Sequence, residues 1–117
     1  MSDFKTIIVT VVPQHVTEVR LYDETIEHVR EEHPEIPAEF PCITHAVKET
    51  IENPTHIEKS YSNSYVFVND SSTNRSGDPL RVPIKIVGGT SGRVKTFFFA
   101  TPNYEPEIVW RKESGHE

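Results

Sequence analysis

Residues 43–60 read ITHAVKETIENPTHIEKS, and the apolar period of the chain changes inside them. Ile43, Ala46, Val47, Thr50 and Ile51 recur at i, i+3, i+4, i+7 and i+8, the stripe of an amphipathic helix. Pro41 suits the first helical position and Asn53-Pro54 closes the segment, so a helix is expected over Pro41–Glu52. Beyond Asn53 the runs HIEKS, SYVFVN, RVPIKIVG, RVKTFFFAT and EIVWRK are short, β-rich and separated by turn formers. Helix before this point and strand after it predict an α+β fold: two N-terminal helices packed on an antiparallel β-sheet.

Toward the N-terminus, KTIIVTVVP (residues 5–13) is β-branched and ends at a proline, as a strand or extended arm would. VTEVRLY (residues 16–22) is extended and leads to Asp23, an expected N-cap, with Glu24 and Glu27 in the first turn. Tyr22, Ile26, Val29 and His33 share one face of that helix, and His28 points nearly opposite. Pro34 excludes His33 from the α region, so the helix stops there, with His33 at a C-terminus whose dipole favours a cation.

Toward the C-terminus, NDSSTNRSGDP (Asn69 to Pro79) reads as a polar, mobile loop, long for a hairpin. GGTSG (Gly88 to Gly92) reads as a tight reversal between antiparallel strands. Alternation puts Val82, Ile84 and Ile86 on one side and Arg81, Pro83 and Lys85 on the other. Carried through the glycine turn, it puts Arg93, Lys95, Phe97, Phe99 and Thr101 opposite Val94, Thr96, Phe98 and Ala100. One face then carries several cations and stays uncovered by helices. Phe97 and Phe99 argue the other way, because rings of that size are more often core; their burial would reverse the assignment or require a second layer. The expected core is Ile26, Val29, Ile43, Val47, Ile51, Val82, Ile84 and Phe98.

The totals bound the class. A chain of 117 residues is expected to form a single domain (1–117) with one core. Its single cysteine, Cys42, excludes an internal disulfide, and no apolar run approaches the roughly 20 residues that span a bilayer. The start MSDFKTIIVTVV lacks a basic leader, so the expected location is cytoplasmic, with no membrane partner. The net charge of −6 opposes polyanion binding by the whole surface. It is divided unevenly: Met1–Ser60 holds 12 acidic and 5 basic residues, Tyr61–Glu117 holds 6 and 7. The strand half can therefore still accept an anion.

Six histidines raise the question of metal. The helical zinc pair needs i and i+4, whereas His28 and His33 are five apart, and Cys42 supplies no paired ligand. No metal and no cofactor are expected. GGTSG lacks the Lys-Ser/Thr ending of a phosphate loop.

VRLYDETIEHVREEHPEI, ITHAVKETIENPTHIEKS, YVFVND, RVPIKIV and RVKTFFFATPN, in that order, resemble the phage-associated branch of the barnase–EndoU–colicin–RelE nuclease group. The match rests on His28-Val29, His33-Pro34-Glu35 and Thr50-Ile51 followed by Pro54 and Ile57, and spans about Val16 to Asn103. The acidic balance and the Asn69–Pro79 insertion depart from the pattern. TFFFATP leaves the late polar position open between Thr96 and Thr101.

The resemblance implies a barnase/RelE-like fold and a small, metal-independent, toxin-like endoribonuclease with RNA as substrate. In that chemistry a ribose 2′-hydroxyl attacks the adjacent phosphate, which needs a base, an acid and cations for the developing charge. His28 and His33 suit the proton transfers, Lys85 and Arg81 the charge, Arg93 and Lys95 the binding face, and Thr101 a hydrogen bond to phosphate. His28 is the expected base, since His33 has structural work at the helix end. The alternatives are an inactive relative serving as a protein-interaction module, with an antitoxin or other protein as partner, and a nucleic-acid mimic suggested by the acidic half.

Overall fold

The computed structural model of the chain describes residues 4–9, 16–33, 43–61 and 63–112. Strands β1 (Phe4–Ile8) and β2 (Glu18–Tyr22) pair antiparallel, and helix α1 (Asp23–Glu32) leaves β2 directly. Helix α2 (Ile43–Glu52) precedes β3 (His56–Lys59), β4 (Ser64–Thr73), β5 (Pro79–Gly88), β6 (Ser91–Val94), β7 (Phe98–Phe99) and β8 (Ile108–Arg111). The fold is α+β, with all eight strands in one sheet ordered β1-β2-β6-β5-β4-β3-β8 and β7 on β5 beyond β6.

The sheet is mixed, which corrects the expectation of a purely antiparallel one. β2 runs parallel to β6, with Glu18, Val19 and Arg20 opposite Ser91, Gly92 and Arg93. This junction attaches the N-terminal hairpin to the C-terminal strands. Because β2 and β6 share a direction, α1 extends from β2 along the side on which β7 extends from β6.

Helix α1 has the expected bounds, but Tyr22 occupies the N-cap position without a side-chain bond, and Asp23 is the first helical residue. The helix ends as His33 N–H donates to Val29 O at 2.7 Å. In α2, Ala46, Val47, Thr50 and Ile51 are buried, and the Thr50 hydroxyl donates to Ala46 O at 2.8 Å. Pro41 and the Ile43 side chain lie outside the described residues. Both helices feed one core with the inward residues of the sheet, among them Val19, Phe67, Val82, Ile84 and Val94. Ile26 is only partly buried at its margin.

The Asn69–Pro79 segment is not a free loop. β4 runs on to Thr73, which pairs with Pro79, and Asn74 closes the hairpin. Its Oδ1 accepts from Ser76 N–H (3.0 Å) and Asp78 N–H (2.9 Å), and Gly77 supplies φ 86°.

The aromatic run also departs from simple alternation. Ile84 faces Val94 and Arg81 faces Phe98: between these pairs two residues of β5 are matched by three on the partner stretch. The extra residue is accommodated beside Pro83, which has no N–H to offer; its carbonyl accepts from Lys95 N–H at 2.9 Å. Past the irregularity, Phe97 rather than Thr96 falls across from Val82, and Phe97 is 1% exposed. Phe98, the expected core residue, is half-buried on the opposite face. Among the described residues no helix is long and apolar enough to cross a membrane.

Candidate functional site

The sheet face turned away from the helices has two parts. Over β3, β4 and β5 it is covered: Val66, Val68, Glu58 and Arg81 are buried there although they point away from the helical core. The chain must pass from β7, beside β5, to β8 beyond β3. Pro102 and Tyr104 of that crossing line one groove with Val66, Arg81 and Pro83.

Beneath the crossing Arg81 meets Glu58 in a two-pronged pair. Nη1 donates to Oε2 at 2.9 Å and Nη2 to Oε1 at 2.6 Å. His56 Nε2 lies 2.9 Å from Glu58 Oε2 and must be the donor to an ionised carboxylate. Burial pushes the Glu58 carboxyl up, but the hydrogen bonds and charges of Arg81 and His56 together outweigh it, and the carboxyl sits below its ordinary range. Arg81 was expected as an open cation for phosphate. It is 4% exposed and its fork is filled by Glu58, because the crossing segment covers the position that alternation alone leaves open.

Over β1, β2, β6 and the end of β5 no described segment crosses the face. Thr6 is opposite Arg20, Arg20 opposite Arg93, Arg93 opposite Lys85, and Lys85 opposite Ser64. Register partners share a face, so Thr6, the three cations and Ser64 form one row across five strands, with the Ser64 end buried. With strands about 4.8 Å apart the three cations span about 10 Å. Like charges directly opposite one another destabilise a sheet, each adjacent pair by up to about 1 kcal/mol even in water. Lys85 and Arg93 are exposed. Arg20 lies over the Phe4 ring at 4.6 Å, and its Nε is 3.8 Å from Glu18 Oε2, the carboxylate that flanks the row. Lys95, also exposed, is the next cation along the strand from Arg93.

The expected catalytic groups are dispersed. His28 is exposed on α1 and lies 3.0 Å from Glu32 Oε2, one turn on. His33 is half-buried, its ring 6.1 Å from and stacked with that of Phe98. Thr101 Oγ1 donates to Asp78 Oδ1 at 2.7 Å. Lys85 and Arg93 come together as expected; Lys95 and Thr96 line the groove with Phe98. Arg20 was missed. It alternates outward between Val19 and Leu21, but its place in the row depends on the β2–β6 pairing, which local pattern does not encode. Among the described residues no group of three His, Cys, Asp or Glu is arranged to hold a metal ion.

Comparison with protein-family models, curated proteins and solved structures gives no match to this chain.

Proposed function

We propose that this chain is a small, metal-independent, endoribonuclease-like domain of barnase/RelE type that takes RNA on the cation-bearing half of its sheet. The observation that carries the reading is the Arg20–Arg93–Lys85 row. In a chain of net charge −6, three mutually repelling cations across adjacent strands make a local site for a phosphate backbone. His33 is stacked on Phe98, a residue of the groove, and takes the base role in place of His28.

Binding of a fluorescein-labelled single-stranded RNA, titrated at several salt concentrations in excess chelator, tests the first half. Three neutralised phosphates predict a slope of log K on log salt of about −2. Denaturing gels of the same mixtures test cleavage. The dispersal of His28, Lys85 and Thr101 favours a second reading, an inactive relative that binds a protein partner such as an antitoxin. Binding without products would select an RNA-binding domain, and absence of binding at low salt would select the protein-interaction module.

A further inference from the structure

We infer that the groove beside the cation row is a nucleobase subsite, built to stack one unpaired base of the strand whose phosphates lie on Arg93 and Lys85; this rests on the RNA reading above. The groove holds about 370 Å³, within the range of small-ligand sites. Its walls are the ring of Phe98 and the side chains of Val66, Pro83, Pro102 and Tyr104. Tyr104 is 61% exposed, a large aromatic that the fold leaves in water at the mouth. Polar residues are few: Lys95, Ser60, Thr96 and Arg81, whose guanidinium is already paired with Glu58.

Two features choose the occupant. The chain has 18 acidic residues, yet no carboxylate lines the groove; the nearby Glu58 is consumed by Arg81. An anionic ligand with an apolar, flat part therefore fits, and a cationic one does not. The second feature is continuity. Lys95 lines the groove and directly follows β6, which carries Arg93, so it lies two residues or about 7 Å from the row. A polyanion on the row has its next unit at the groove mouth, and a base is the part of a nucleotide that prefers stacking to water.

The test uses the full chain and two probes of equal charge: a single-stranded uridine oligonucleotide and an abasic ribose-phosphate strand of the same length. Tyr104→Ala is expected to weaken the uridine strand roughly 5- to 150-fold, the usual effect of losing one base–aromatic stack, and to leave the abasic strand unchanged. Tyr104→Phe, which keeps the ring, retains parent affinity. Lys85→Ala weakens both probes alike. If Tyr104→Ala changes neither probe, or both equally, the base subsite is overturned while the phosphate row stands. If the parent binds neither probe at low salt, the RNA reading falls and the subsite falls with it.

Discussion

Arg81 and Glu58 form a bidentate ion pair at 2.9 and 2.6 Å, closed to water, on the side of the sheet that the helices do not cover. Breaking such a pair strands a buried charge, whereas replacing both partners removes the desolvation cost as well as the attraction. Arg81→Met is expected to lower stability by about 3–5 kcal/mol, and Arg81→Met with Glu58→Leu to restore or exceed the parent value. Urea midpoints of the parent and the two variants check this; equal losses in single and double variants would refute it.

The same pair sets an acid limit. The folded Glu58 carboxyl lies below its ordinary value, so its contribution is present above about pH 4.3 and is lost as pH falls below that through the folded value. Thermal midpoints between pH 7 and pH 3 should therefore drop more steeply for the parent than for the Glu58→Leu/Arg81→Met chain. Parallel profiles would show that the pair does not titrate with unfolding.

Phe97 and Phe98 are neighbours with opposite environments. Phe97→Ala is expected to cost about 3–5 kcal/mol, the range for emptying an aromatic core site, and Phe98→Ala distinctly less. Denaturant unfolding ranks them, and the reverse order would mean that the strand runs from Arg93 to Thr101 without the extra residue.

Ile51 is fully buried at the centre of the α2 stripe, so Ile51→Ala should cost about 2–5 kcal/mol. An unchanged urea midpoint would show that α2 is not packed on the sheet.

Lys85→Ala is expected to reduce the salt slope of RNA binding by about 0.7, one counterion on a single strand. Cleavage should persist in chelator, and His33→Ala should depress it more than it depresses binding, since a general base acts chiefly in the transition state. A folded His33→Ala chain that cleaves like the parent would remove His33 from the mechanism; activity abolished by chelator and restored by magnesium or zinc would remove the metal-independent one.

Local chemistry made much of this legible. The bounds of α1 follow from acidic residues in its first turn and a proline after His33, and the outward position of Lys85 and Arg93 follows from alternation through a glycine turn. What sequence pattern missed depends on distant pairing. The one-residue irregularity beside Pro83 exchanges Phe97 for Phe98, a parity change that no count along a single strand reveals. The covering of Arg81 depends on a connection that crosses three strands, and the place of Arg20 on a strand 73 positions later in the chain.

That last separation has a meaning for synthesis. When β2 leaves the ribosome its partner β6 is still about 70 residues unmade, which at 5–20 residues per second is a delay of about 4 to 15 seconds. Through that interval the β1–β2 hairpin presents an unpaired parallel edge, with Val19 and Leu21 lacking most of the core they enter later. The nascent chain is thus most vulnerable to association early. Completion of the sheet waits on the short strand β6, whose arrival joins the two ends of the fold.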